Sequence, residues 1–412
     1  MSAFSRELVQ ATLVGPLIVF CLASTLTVLT IGRSANRPIR RYALCVMGTL
    51  TLISLALAST VWPEGRPRFT NDVSNLYHVY QILRAFGLVL ASIGTLLGVA
   101  RISLLPMKNG FKNVAVVLHS LTLAYCLLEA AFTFIPVSHA VSYALAARNW
   151  FSYYWAPINS EGYRDREHPA TNAKKIVVIG DSFVAGHGLT RVEERFSDRL
   201  QQELGPAYEV YNLGVPGANS EEELNTLRAL PFTPHHIVLS YIPDDFMSSD
   251  TNQEGLFQFR PYDSLSPIPK TVVMRSYLAN YLFWLFPQPP MVEFYNSIWQ
   301  MAERATVQNA HTKTLRQFGR YSQNHHIPLT TLLFPLLRDP QRSKDILTRA
   351  RQALAPFQDV QSIEVSRLIA DMPMSATVIN NTDDHPSAEV HRRIAEHLLP
   401  LIAPASQRLA RE

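Results

Sequence analysis

The sequence predicts a chain of two parts: an N-terminal bundle of four transmembrane helices, then an α/β domain built on a doubly wound parallel sheet. Three observations predict it. Charge-poor apolar runs recur through residues 1–135, each near the ~20 residues a membrane-crossing helix needs. From 160 to 412, short β-branched runs alternate with helix-like segments, the rhythm of a parallel sheet. Between them lies a stretch, 136–159, that opens on Pro136 and is rich in aromatics.

The four apolar runs come first. Positions 11–31 and 42–62 carry no charge, the third runs from about Tyr80 to Leu105 with an uncharged centre between Arg84 and Arg101, and the fourth covers about 113–135. Four such runs joined by short loops leave no amphipathic layer to bury them as a soluble core. The first is long for the apolar part of a signal peptide, and its flank MSAFSRELVQ is weakly charged, so it reads as a membrane helix. Arg33, Arg37, Arg40 and Arg41 fill one loop without an acid, and Lys108 and Lys112 follow Arg101 in another. Both loops are expected in the cytoplasm. The N-terminus is then outside, and four crossings deliver the C-terminal domain outside as well. For a bacterium with two membranes, that means an inner-membrane protein with a periplasmic domain.

His119 and Glu129 lie inside the fourth run, where ionisable groups are costly; Glu129, near the outer end, needs a partner or a proton. Arg84 is expected to snorkel to the outer interface. Gly87, Gly94 and Gly98 include a G-x-x-x-G pair suited to close helix packing. Trp150, Phe151, Tyr153, Tyr154 and Trp155 fit either the headgroup region or packing against the next domain.

Composition excludes some functions. The net charge of +4 is small and dispersed, with no basic stripe, so nucleic acid is not an expected partner. Cys21, Cys45 and Cys126 all fall in the membrane part. The α/β part therefore has no disulfide, no thiol nucleophile and no thiolate metal site. His235-His236 and His325-His326 are adjacent pairs rather than ligands one helical turn apart, and read as loop histidines; no metal is expected.

The α/β domain opens with Lys174-Lys175-Ile176-Val177-Val178-Ile179-Gly180, which reads as a buried parallel strand. It stops at Asp181-Ser182, where ligands bind in open α/β sheets: outside the carboxyl ends of strands. A helix over 192–204 follows. Tyr208–Gly214 is a second strand, with a helix over about 219–229 capped by Asn219 or Ser220. Ile237–Tyr241 is a third strand, ending at Pro243-Asp244-Asp245. A helix over about 299–324 leads into a strand over 329–335, and a last helix over about 386–402 opens at Pro386. Residues 246–298, rich in aromatics and prolines, read as an insertion that shapes the substrate pocket or rests on the membrane.

Gly180-Asp181-Ser182-Phe183, Asn212 with Gly214, the segment from Tyr241 to Asp245, and Asp383-Asp384-His385-Pro386 resemble the successive blocks of the SGNH/GDSL hydrolase superfamily. The resemblance covers roughly 160–405, and Asn159–Arg164 is similar to the lead-in of envelope-associated members. It implies a flavodoxin-like three-layer sandwich with Ser182 as nucleophile, His385 as base and Asp383 as the carboxylate that orients the imidazole. Asp384 would point elsewhere if the segment is extended. The oxyanion would be held by the N–H groups of Ser182 and Gly214 and by a third donor. That donor is usually Asn in the family, whereas this chain has Asp244. An ionised Asp244 would repel an oxyanion; protonated, it could donate. Asp181 is expected to anchor the turn.

The implied function is a membrane-anchored, extracytoplasmic esterase or acyltransferase without a cofactor, acting on O-acyl groups, chiefly O-acetyl, of envelope glycans or lipids. A membrane protein of envelope biosynthesis is a further expected partner. Asp244 keeps a second function open: an inactive domain that binds a glycan or partner protein in envelope assembly.

Overall fold

A computed structural model describes residues 37–58, 71–102, 104–140, 144–246, 261–286 and 288–403. The first apolar run, 11–31, lies outside the described residues. Helices α1 (Arg37–Ala58), α2 (Asn71–Ile102), α3 (Asn109–Phe132) and α4 (Leu145–Tyr154) come first. Strand β1 (Lys174–Gly180), the one-turn helix α5 (Ser182–Ala185), α6 (Phe196–Leu204), β2 (Tyr208–Gly214), α7 (Ser220–Arg228) and β3 (His236–Tyr241) follow. Then come α8 (Pro267–Arg275), α9 (Tyr277–Trp284), α10 (Pro289–Ala302), α11 (Ala305–His325), β4 (Leu329–Leu333), α12 (Pro340–Leu354) and β5 (Val360–Glu364). A hairpin of β6 (Val378–Asn380) and β7 (Asp383–Pro386) precedes α13 (Ala388–Ile402). The chain divides into two compact units. One holds residues up to Val137, Ser142–Tyr153 and Pro261–Pro287; the other holds Ser138–Val141, Tyr154–Arg260 and everything from Gln288.

In the first unit, two helices among the described residues are long and apolar enough to cross a membrane, Tyr77–Ile102 and Asn109–Phe132. Helix α1 covers most of the second apolar run, but its apolar stretch, Arg41–Ile53, is shorter. The expected bundle of four is therefore narrowed to two qualifying helices. Close packing explains two of the three glycines. A Cβ on Gly94 would meet Thr49 Oγ1 at 2.6 Å and one on Gly98 would meet His119 Nε2 at 2.7 Å, while Gly87 has open space.

Arg84 departs from expectation. It is 3% exposed, and it pairs with Glu129 at 2.5 Å instead of snorkelling to an interface. Glu129 also accepts from Ser276 Oγ at 2.6 Å and from the N–H groups of Tyr277 at 2.7 Å and Leu278 at 3.0 Å. The pair is thus closed by the start of α9. A buried carboxylate away from water needs such a set of donors. The insertion is accordingly split: α8 and α9 belong to the first unit and α10 to the second. The aromatic stretch is not irregular either, since it forms α4 and buries Trp150.

The second unit is an α/β sandwich. Five parallel strands run in the order β2-β1-β3-β4-β5, the flavodoxin-like order. Strand β1 is buried on both faces from Ile176 onward, so its run is continuously apolar. Ile176 and Val178 face a core closed by Phe196, Leu200 and Leu204 of α6 and Val390, Ile394 and Leu398 of α13. Val177 and Ile179 face the other core, with Leu224 and Leu227 of α7 and Phe318 of α11. The apolar residues of α6 and α13 recur at three- and four-residue spacing, as one buried helix face requires. Asn219 and Glu222 form a capping box at the start of α7.

Some boundaries differ from the sequence reading. The helix expected over 192–204 begins with a separate 3₁₀ turn at Val192–Glu194, and the long helix before β4 is two, broken at Glu303-Arg304. Pro386 does not open the last helix. It ends β7, and Ser387 caps α13 by accepting the Val390 N–H. The residues carrying the Asp-x-His pattern are therefore extended.

Candidate active site

Strand order reverses between β1 and β3, since β2 lies on one side of β1 and β3 on the other. Loops leaving such a switch point diverge and open a crevice at the carboxyl ends of the strands. Ser182 follows β1 at that place, and Asp244 follows β3.

Asp181 turns the chain there. Its Oδ1 accepts the Phe183 N–H at 2.9 Å, and its Oδ2 accepts from Ser182 Oγ at 2.9 Å. Gly186 ends the one-turn helix with φ of 72°, a conformation costly for any residue with a Cβ. Arg164, 1% exposed, fixes the loop from behind. Its guanidinium donates to the carbonyls of Ala185, Gly186 and Leu189, and to those of Tyr154 and Trp155. Burial and the neighbouring Arg195 push its pKa down to about 9.

His385 Nε2 lies 2.8 Å from Ser182 Oγ, and His385 Nδ1 lies 2.5 Å from Asp383 Oδ1. Because β7 is extended, side chains two apart share a face, so Asp383 faces His385 while Asp384 turns away. Asp383 is fully buried, and Ser182 and His385 are 9% and 7% exposed. Burial works against charge on both Asp383 and His385, yet their attraction prevails. Asp383 is held well below the carboxylate range by His385 and His187, and His385 is raised to about 9 by Asp383, with Asp384 and Asp181 beyond it.

The other Asp383 oxygen accepts from Ser138 Oγ. Ser138 comes from the segment just after the apolar helices. It is held on the β6–β7 hairpin by Asn380 Nδ2 to the Ser138 carbonyl at 3.0 Å and the Ala140 N–H to the Thr382 carbonyl at 3.0 Å. His187 stacks on the His385 ring, centroids 4.1 Å apart and planes 16° from parallel, with Nε2 3.9 Å from Asp383 Oδ2. Burial, then the charge on His385, pushes His187 down to about 3, so it stays neutral. His187, His385 and Asp383 bring ligand atoms within 4.8 Å of one another.

Two expected oxyanion groups look different in place. The Gly214 N–H donates to Asn212 Oδ1 at 3.1 Å, so it is already engaged. Gly214 is a glycine because a Cβ would lie 2.3 Å from the Ala185 backbone nitrogen, where β2 passes the loop after Ser182. Asp244 is raised to about 7 by burial and by Asp181. It belongs to an acidic face with Asp181, Asp245 and Glu223, all raised, chiefly by burial. Asp245 accepts the Ile242 N–H at 2.7 Å, and the Glu223 carboxyl has no hydrogen-bond partner among the described residues. His235 and His236 sit at the start of β3, and His325 and His326 end α11; neither pair joins the site.

The sequence reading missed Ser138 and His187. His187 stands between Gly186 and Gly188 just after Ser182, and a histidine flanked by glycines at that place was the available signal. Nothing near Ser138 marks it, because its partner is 245 residues away.

No family model matches the chain, and no curated protein matches it. Among solved structures, a carbohydrate acetylesterase family member from Sinorhizobium meliloti is similar over 56% of this chain and 97% of its own, at 13% identity and a TM-score of 0.29. The native aryl esterase of M. smegmatis is similar over 56% and 98%, at 15% identity and a TM-score of 0.28. Likeness this distant carries over neither activity nor substrate, so function rests on the site itself.

Proposed function

We propose that this chain is a membrane-anchored, extracytoplasmic serine esterase or O-acyltransferase acting on O-acyl groups, chiefly O-acetyl, of envelope glycans or lipids. One observation carries the reading: the unbroken line from Ser182 Oγ through His385 to Asp383 at the sheet's switch point. A serine hydroxyl is a poor nucleophile until a base takes its proton. His385 takes it as Ser182 Oγ bonds to the acyl carbon, and Asp383 stabilises the imidazolium. The acyl C–O bond then breaks, and the leaving alkoxide takes the proton from His385. Water or a sugar hydroxyl enters by the same steps in reverse and removes the acyl group from Ser182. The basic residues Arg33–Arg41 and Lys108–Lys112 support a cytoplasmic side at those points and an α/β unit that faces outward from the inner membrane.

A membrane-impermeant fluorophosphonate tests both halves of the proposal. Applied to intact spheroplasts, it is expected to label the chain covalently, and Ser182→Ala is expected to abolish the label. Label surviving in Ser182→Ala sinks the nucleophile assignment. Labelling only after lysis sinks the topology.

The pH profile tests the roles of His385 and Asp244 together. His385 must lose its proton to act as base, and with its value near 9 the free-base fraction climbs up to about that pH. Asp244, near 7, serves as an O–H donor to the oxyanion only while protonated, so the rate falls as it ionises. With the base titrating above the acid, kcat/KM is expected to follow a bell whose maximum lies between the two values. Asp244→Asn keeps a donor at every pH. It is expected to remove the descending limb and raise activity most above pH 8. A tenfold loss on Asp244→Asn, about 1.4 kcal/mol in barrier, would instead give the carboxylate a role of its own.

A second reading is favoured by the engaged Gly214 N–H and the acidic face beside Ser182. In it the domain binds a glycan or a partner protein in envelope assembly without turnover. The same labelling separates the two, since a pure binding domain leaves Ser182 unmodified.

A further inference from the structure

Helix α9 sits among apolar helices, though it arrives from the far side of β3 in the chain. Tyr277–Phe286 contains no charged residue. At 1.5 Å per residue, the eight residues of α9 span about 12 Å, far short of a crossing. Its outward side is apolar, with Leu282, Leu285 and Phe286 exposed at 48%, 49% and 68%.

Asn280 and Trp284 turn the other way. Asn280 Nδ2 donates to Tyr262 Oη at 3.1 Å, Asn280 Oδ1 accepts the Leu145 N–H at 2.8 Å, and Trp284 Nε1 donates to Tyr262 Oη at 3.1 Å. The start of a helix normally leaves four N–H groups for water. Here Ser276 donates to the Val272 carbonyl at 2.8 Å, Tyr277 and Leu278 donate to Glu129, and Ala279 donates to Ser276 Oγ at 3.1 Å. A helix start with every N–H satisfied by protein is what hydrocarbon demands and water does not.

The same compact unit carries the apolar outer faces of α2 and α3, where Leu83, Phe86, Phe111 and Leu121 are each at least 60% exposed. Helix α9 packs on α3, with Phe132 and Tyr281 ring centroids 5.0 Å apart. We propose that α9 is embedded in the bilayer, as a short non-spanning element that adds its Leu282–Leu285–Phe286 face to the lipid-facing surface of α2 and α3. The inference rests on the membrane reading of those two helices. It also explains why Glu129 is kept inside an apolar helix, since its carboxylate is the socket that holds the start of α9 away from water.

The test uses the full-length chain in phospholipid nanodiscs, with Cys21, Cys45 and Cys126 replaced by alanine. A nitroxide is placed in turn at Leu282→Cys, Phe286→Cys, Leu121→Cys on α3, and Met374→Cys on the α/β unit. Collision with dissolved oxygen, which concentrates in hydrocarbon, is compared with collision with a water-soluble nickel chelate. Positions 282 and 286 are expected to match 121, favouring oxygen severalfold, while 374 favours nickel. Nickel access at 282 and 286 with oxygen preference at 121 overturns the embedding of α9 and leaves the anchor standing. Protection from both reagents at 282 and 286 also overturns it, because protein then covers the face. Nickel access at 121 overturns the membrane reading itself, and this inference with it.

Discussion

Asp383→Asn is expected to lower kcat for a small acetyl ester by about 10⁴-fold with little change in KM. In barrier terms that is about 5 kcal/mol. Asp383 accepts three hydrogen bonds, from His385 Nδ1, from the His385 N–H at 3.2 Å and from Ser138 Oγ. An asparagine fits the same volume, so the hairpin should survive. What changes is which nitrogen of His385 carries the proton. A carboxylate fixes it on Nδ1 and leaves Nε2 free to receive the Ser182 proton. An amide presenting N–H to Nδ1 places the imidazole proton on Nε2, and the base is lost. Circular dichroism and fluorophosphonate labelling rates, measured with kcat, separate this from misfolding. Asp384→Asn is the control. Asp384 is on the other side of β7, and its substitution should cost far less. If Asp383→Asn lost under a hundredfold while Asp384→Asn lost more, the orienting role would move to Asp384.

The parts of this site legible in the sequence are those written locally. A β-branched run stopping at Gly180-Asp181-Ser182 announces a buried parallel strand with a residue at its carboxyl end, and the Asp-x-His spacing needs only an extended backbone. That the strands are parallel follows from the same alternation, because parallel strands need crossovers and crossovers are helices; their order does not, since one alternation serves more than one order. What stayed hidden depends on distance along the chain. Ser138 reaches Asp383 across 245 residues, and Arg84 reaches the Arg275 carbonyl across 191. Arg84 taken alone has a long side chain near the end of an apolar run, and snorkelling is its cheapest state. Only the arrival of α9 from residues 276–284, with its carboxylate partner Glu129 already in place, makes burial cheaper. At Gly214 the contact with Ala185 that requires a glycine is likewise invisible in the sequence, because the loop after Ser182 meets β2 only in the fold. The strand over 360–364 was missed because Val-Gln-Ser-Ile-Glu is an edge strand, half polar and without the apolar run of β1.

Glu129→Ala is expected to destabilise the first unit by about 3–5 kcal/mol, the cost of leaving one partner of a buried pair uncompensated. The two Glu129 carboxylate oxygens take the Arg84 guanidinium at 2.5 Å, the Ser276 hydroxyl at 2.6 Å, and the N–H groups of Tyr277 and Leu278. Alanine removes all four bonds and leaves a buried guanidinium and two helix-start N–H groups without water to replace it. Arg84 would keep neutral partners, among them Thr133 Oγ1 at 3.3 Å, the Arg275 carbonyl at 3.1 Å, Tyr80 Oη at 3.4 Å and the Tyr277 ring, none of which carries a charge. Glu129→Gln retains one acceptor oxygen and the volume, so its loss should fall between alanine and wild type. The double substitution Arg84→Met with Glu129→Met should cost less than Glu129→Ala alone, since it removes the charge along with its partner. Denaturant unfolding in detergent micelles, followed by Trp fluorescence, reads all three. A loss below 1 kcal/mol for Glu129→Ala would mean that water reaches the pair, and the socket for α9 would then be solvated rather than sealed.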